Sequence, residues 1–222
     1  MSSVGDAGES MSVAVSGKAP VVFVVDDDVS VRESLQLLIL SAGWRPETFT
    51  SAEEFLAHSQ SNGPSCLVLD VRLPKLTGLD LQERIIDRTG MPIIFISGRG
   101  EVPTAVKAMK AGAVEFLTKP FTDEVLLNAI RQAIERSRME LASEADLQAL
   151  KKNHDSLTLR EREIMALVVS GLLNKQIAAK LGISEITVKA HRGRMMRKMR
   201  VESVAELVRA ASTLAVPLVA LG

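Results

Sequence analysis

Three stretches of this chain, VVFVV (21–25), CLVLD (66–70) and MPIIFIS (91–97), are apolar at nearly every position, and the last two end on a polar residue while the first is followed by one. A strand with one face in water alternates apolar and polar residues, so uninterrupted runs call for a sheet covered on both faces. Amphipathic patterns fill the intervals. Val31, Leu35, Leu38 and Ala42 recur at helical spacing up to Gly43, and after the short stretch RPETF a second helix is expected from Ala52 to about His58. A third runs through GLDLQERIIDR and a fourth through VPTAVKAMKAGA, closed by Gly112. VEFLT then reads as a fifth strand, and Thr122 as the cap of a helix beginning DEVLLNAI. Strand and helix alternating in this way predict an α/β fold: a doubly wound, five-stranded parallel sheet, whose ligands bind beyond the carboxyl ends of the strands.

The polar residues gather at those ends. Asp26 and Asp27 follow the first strand, Asp70 ends the third, Ser97 the fourth, and Lys119 follows the fifth, just before Pro120. One aspartate at a strand end reads as a turn or cap, but together these residues read as a site. Asp26, Asp27 and Asp70 suit a hard, oxygen-seeking cation such as Mg²⁺. Ser97 and Lys119 supply donors for phosphoryl oxygens, and Asp70 is then a nucleophile able to form an acyl phosphate. Without a cation, some of these carboxylates are expected to titrate abnormally. Asp28 is assigned to helix capping or charge tuning, and Gly78 and Gly98 to backbone turns.

The segments VVDDDVSVRESL, LVLDVRLPKLTGLDL and IIFISGRGEVPTAVKAMKAGAVEFLTKPF resemble the receiver domain of bacterial response regulators, a CheY-like fold. The resemblance implies Asp26 and Asp27 as the Mg²⁺-binding pair with Asp70 as phosphoacceptor, Ser97 as switch hydroxyl and Lys119 as phosphate-contacting lysine. It implies a cis Lys119–Pro120 peptide, and it gives Phe116, by spacing alone a strand core residue, the role of aromatic switch. Arg72 and Arg99, each two residues beyond a site residue, are candidates to influence the lifetime of the acyl phosphate, or plain exposed arginines.

With 222 residues, the chain is comfortable for two folded units. Its formal charge of zero conceals an asymmetry: from Ser156 onward 11 Lys/Arg face 5 Asp/Glu, net +6, leaving net −6 before it. A basic half suits nucleic acid or an acidic protein. The single Cys66 excludes an internal disulfide, no apolar run reaches the roughly 20 residues of a membrane span, and no leader pattern opens the chain, so a soluble cytoplasmic protein is expected. Its organisation is expected as a disordered tail over 1–19, a receiver over 20–136, a helical linker over 137–156 and a small all-helical domain over 157–222. From Asp123 to about Lys152, Leu127, Ile130, Ile134 and Leu141 recur at helical spacing, but Ser137 and Glu144 interrupt the heptad seam, which favours a solvated continuous helix over a dimeric coiled coil.

The last part begins with Thr158 as a cap, Glu161 at capping-box spacing, an apolar face of Ile164, Leu167 and Val168, and Gly171 as a stop. Asn174 opens NKQIAAKLG, Gly182 turns the chain, and Ser184 caps ISEITVKAHRGRMMRKM: a helix-turn-helix, closed by SVAELVRAAS. On the second helix Val188, Met195 and Met199 face inward, while Ala190, Gly193 and Arg197 line the opposite stripe, flanked by Lys189 and Arg194. Small residues let such a helix approach base edges while basic flanks reach phosphates.

Residues 157–212 resemble the LuxR/NarL-type output domain. By position, the resemblance implies Lys189 and Ala190 as base or groove contacts and Lys175 and Arg197 as phosphate contacts. Gly193 departs from members that carry a contacting lysine there, and a glycine costs a helix about 1 kcal/mol relative to alanine. Both halves together resemble FixJ-type response regulators. The resemblance implies a phosphorylation-controlled transcription regulator rather than an enzyme, with a sensor histidine kinase and double-stranded DNA as partners, a homodimer on phosphorylation, RNA polymerase as a candidate partner and no membrane. An aspartate-dependent phosphatase would need a general acid and a substrate-covering cap, which the segments after Asp70 do not offer. A constitutive DNA binder, its receiver serving only dimerisation, is the other rival.

Overall fold

The computed structural model describes residues 19–58, 63–85, 90–98 and 102–217. The tail expected over 1–19 falls, but for its last residue, outside them, and so does Arg99. Strands β1 (Val21–Val25), β2 (Arg45–Phe49), β3 (Ser65–Asp70), β4 (Ile93–Ser97) and β5 (Glu115–Thr118) form one parallel sheet in the order β2-β1-β3-β4-β5. Helices α1 (Val29–Ser41), α2 (Ala52–Ala57), α3 (Gly78–Arg84), α4 (Val102–Lys110) and α5 (Asp123–Asp155) alternate with the strands. All of β1, β3 and β4 is buried because successive residues enter two separate cores. Phe23, Leu67, Leu69 and Phe95 join Phe55 on one face, while Val22, Val24, Ile94 and Ile96 join Ile39, Leu126 and Ile130 on the other. β2 is half exposed and lies at the edge, where Pro46 withholds no ladder donor from a further strand. From β1 the chain turns first to β2 on one side and then crosses to β3 on the other, so the ends of β1 and β3 flank the switch point of the sheet.

Helix α5 corrects one expectation. Ser137 is no interruption of a solvated seam: it is fully buried, accepts the Ser65 N–H at 3.0 Å and donates to the Gly90 carbonyl. A polar residue stands there because it joins α5 to the segments that enter β3 and β4. The buried stripe also starts at Leu126, not at Leu127, which is only half-buried.

The chain divides into two compact units, Met1–Leu141 and Ala142–Gly222, with α5 continuous through the boundary. The second unit holds the end of α5 with α6 (Leu159–Val169), α7 (Asn174–Leu181), α8 (Glu185–Met199) and α9 (Val204–Thr213), around a core that includes Ile164, Met165, Ile177, Val188, Met195 and Leu207. Thr158 and Glu161 close a reciprocal capping box at the start of α6, and Ser184 and Ser203 cap α8 and α9. Between α7 and α8 Gly182 adopts φ +66, the left-handed conformation that ends one helix sharply enough for the next to start three residues on.

Candidate functional site

At the carboxyl end of the sheet, the Lys119 ammonium bridges two carboxylates, donating to Asp26 Oδ2 at 2.9 Å and to Asp70 Oδ1 at 3.1 Å. These residues are 93 and 49 positions from the lysine and meet because three parallel strands end together. Asp26 and Asp70 are both buried, so each carboxylate needs its hydrogen bonds. Asp26 Oδ1 accepts the Asp28 N–H at 2.9 Å, and Asp70 Oδ2 accepts the Arg72 N–H at 2.6 Å. Asp28 itself caps α1, accepting from Ser30 and Val31, as its position suggested.

Ser97 is buried at the end of β4, and its carbonyl accepts the Lys119 N–H at 2.7 Å. β4 pairs Ile96 with Asp70, so Ser97 lies one residue beyond that pairing. Asp27 is exposed beside Asp26. Among the described residues, no cluster of three His, Cys, Asp or Glu side chains stands preformed as a metal cage; the lysine ammonium occupies the centre of the charge instead. The donor set still fits a hard cation, with two buried carboxylates already converging on one positive group and a third on the adjacent residue. Phe116, on β5, is half-buried against the Phe23 core, its ring centroid 6.2 Å from that of Phe95. The Lys119–Pro120 peptide is cis.

Burial pushes the Asp70 carboxyl above its ordinary value, a rise that the Arg72 N–H and Lys119 oppose and the neighbouring Asp26 charge reinforces. For Lys119 burial works downward, yet the hydrogen bonds and charges of Asp26 and Asp70 outweigh it and hold the ammonium above the usual lysine range. The result is a partly buried cation facing a carboxylate of enhanced basicity.

One supporting residue escaped the sequence reading, and another was read in a different role. Arg32 donates from Nη1 to the Asp26 carbonyl at 2.8 Å, fixing the backbone that carries both leading aspartates. Its only signal was a basic residue in the first turns of the helix after the acidic run. Gly78, expected to serve a turn, is instead the first residue of α3, and a Cβ there would stand 2.4 Å from the Asp70 carbonyl oxygen, so the start of α3 lies directly against β3. Gly98 is exposed, with the Arg72 guanidinium 3.3 Å from its Cβ position.

The second unit presents the other candidate surface. Lys175 on α7 and Lys189, Ala190, Arg194 and Arg197 on α8 are exposed, whereas Val188, Met195 and Met199 are buried, which is the division the helical wheel predicts. The Lys189 ammonium lies 3.9 Å from the Glu185 carboxylate, and Arg197 Nε reaches the Gly193 carbonyl at 3.4 Å. Arg192 Nη1 donates to Asn174 Oδ1 at 3.0 Å and ties the start of α7 to α8, a positioning contact that no local pattern announces.

Comparison with known proteins accounts for both surfaces. Residues 22–131 match the response regulator receiver domain, and residues 155–211 match the luxR family of bacterial regulatory proteins. Nodulation protein W of Bradyrhizobium diazoefficiens is 47% identical over 94% of this chain and 92% of its own. Transcriptional regulatory protein FixJ of the same organism is 41% identical over 86% of this chain and 93% of its own. The solved structure of response regulator StyR covers 87% of this chain and 98% of its own at 46% identity, with a TM-score of 0.80. With an acidic, lysine-bridged strand end in one unit, a basic helix-turn-helix in the other and matches that span both, the chain belongs to the two-component response regulators of FixJ type, transcription regulators that join a receiver domain to a LuxR-type DNA-binding domain.

Proposed function

We propose that Asp70 accepts a phosphoryl group from a sensor histidine kinase and that this modification controls DNA binding through α8. The observation that carries the reading is the Lys119 ammonium held between Asp26 and Asp70, with the Ser97 backbone bonded to the same lysine residue. An Asp70 oxygen attacks the phosphorus, the bond from phosphorus to the donor imidazole nitrogen breaks, and the electron pair leaves with the imidazole. Lys119 and the Ser97 hydroxyl then serve the phosphoryl oxygens as donors. Asp26, Asp27 and Asp70 would hold Mg²⁺, which supplies the charge that lets an anionic phosphoryl group approach a carboxylate. Recruitment of the Ser97 hydroxyl opens space for Phe116 to turn inward, which changes the surface of α4, β5 and the start of α5. Contacts stronger in that state than in the other bias the population toward it.

In the output unit, Lys189 and Ala190 face the groove, and Lys175, Arg194 and Arg197 take the phosphates. Phosphorylated chains act as a pair on two half-sites, since a single such helix offers little surface. RNA polymerase is the expected further partner, the cytoplasm the compartment, and the chain turns over no separate substrate. Among the described residues, no helix is long and apolar enough to cross a membrane. The divisions proposed are a receiver over 20–136, a linker over 137–156 and an output domain over 157–222.

The decisive experiment treats the protein and Asp70→Asn with acetyl phosphate, with and without Mg²⁺, and reads intact mass. A phosphoryl adduct that requires both Mg²⁺ and Asp70 is expected. An adduct on Asp70→Asn, or none under any condition, overturns the assignment of the acceptor.

A further inference from the structure

Ile186 lies in the first turn of α8, two residues after the Ser184 cap, and is 80% exposed. A branched aliphatic side chain in water adds nothing to the stability of this helix, and its chemistry there is unlike that of its basic surroundings. Residues 186, 190, 193 and 197 fall at i, i+4, i+7 and i+11, one straight stripe on a helix. Ala190, Gly193 and Arg197 are exposed with Ile186, and the residues of the opposite face, Val188, Met195 and Met199, are buried. The stripe therefore runs from a branched apolar side chain through two small residues to an arginine, with Lys189 and Arg194 at its sides.

Each part has a counterpart in a DNA groove. Ala190 and Gly193 leave the helix backbone free to approach with Lys189 toward the groove, the arginines meet phosphates, and the N-terminal turn of a recognition helix reaches the base edges. In the major groove the one apolar feature of those edges is the 5-methyl group of thymine. Isoleucine can neither donate nor accept a hydrogen bond, so opposite any other base it would cover polar atoms without pairing them.

We propose that Ile186 is a specificity-determining residue that reads thymine through its 5-methyl group in each half-site. The proposal rests on the DNA-binding reading above and adds to it a side chain that selects thymine. The test uses the full-length protein treated with acetyl phosphate and Mg²⁺ to select duplexes from a randomised pool. The selected site is expected to carry thymine at one symmetric pair of positions. Replacing those thymines by deoxyuridine, which removes only the methyl, should weaken binding by about fourfold per half-site, the worth of one buried methyl group. Ile186→Ser should bind thymine and deoxyuridine duplexes equally, and Ile186→Ala provides the same comparison with a smaller change should the serine variant fold poorly. If the variants keep the full deoxyuridine penalty, or if no thymine shows one with the unaltered protein, the role of Ile186 is overturned while DNA binding stands. A protein that selects no duplex overturns both.

Discussion

A methyl group on Gly78 would lie 2.4 Å from the Asp70 carbonyl oxygen and 3.2 Å from side-chain atoms of both Leu69 and Phe95. All three neighbours belong to buried strands, so relief requires either α3 or β3 to shift. Gly78→Ala is expected to destabilise the first unit by about 1–3 kcal/mol, as overpacking does, even though alanine favours the helix. The single Trp44, half-buried against the α1 side of the sheet, makes tryptophan fluorescence a reporter of this unit alone, and its urea midpoint should fall. Acceptance of phosphoryl from acetyl phosphate should slow as well, because the displaced atom is the backbone of Asp70. An unchanged midpoint would mean that the first turn of α3 moves aside without cost. The contact was invisible in the sequence, where Gly78 has the composition of a turn and the oxygen it must avoid belongs to another element.

Beside their shared apolar core, α6 and α8 are joined by one buried carboxylate. Glu161 closes the capping box with Thr158 and also accepts from Lys198 Nζ at 2.7 Å. Burial pushes its carboxyl upward, but the Lys198 and Thr158 hydrogen bonds prevail and hold it below the ordinary range. A carboxyl depressed in the folded state contributes stability above its unfolded value of about 4.3, and that contribution is lost as pH falls through the folded-state value. Glu161→Gln should therefore cost about 1–3 kcal/mol near neutrality and should lack the corresponding part of the acid loss. Helical circular dichroism, corrected for the unit that Trp44 reports, measures it; identical acid profiles would show that the pair contributes nothing. Ser137→Ala offers the parallel test on α5, leaving the Ser65 N–H and Gly90 carbonyl without that hydroxyl at a cost of about 1–3 kcal/mol to the first unit. The capping half of Glu161 was legible, because Thr158 is three residues away; the Lys198 half was not, because it lies 37 positions along the chain. The same holds for Ser137, whose partners are 72 and 47 residues distant. By contrast β1, β3 and β4 were legible because burial on two faces removes polar residues from a strand altogether. Asp26, Asp70 and Lys119 were legible because parallel topology sends the ends of such strands to one place.

The charge of the whole chain is divided, net −6 up to residue 155 and net +6 from Ser156 onward, so its attraction to DNA comes from one part. That division makes salt a means of counting how many output units engage. Each phosphate neutralised releases counterions, and the logarithm of affinity falls with the logarithm of salt with a slope of about −0.9 per neutralised phosphate. If phosphorylation only released a single output unit from restraint, the affinity would rise at every salt concentration while the slope stayed the same. If it pairs two chains on two half-sites, the number of neutralised phosphates doubles and so does the slope. The second outcome is expected, because one small helix-turn-helix buries too little surface for tight binding. Fluorescence anisotropy on one labelled duplex, across a salt series, should give the acetyl-phosphate-treated protein about twice the slope of Asp70→Asn. Lys175→Ala or Arg194→Ala should then flatten the slope of the treated protein by about two, since each of two chains leaves one phosphate unneutralised, and that of Asp70→Asn by about one. Parallel lines for treated protein and Asp70→Asn would exclude pairing on DNA and leave release of a single unit as the consequence of phosphorylation.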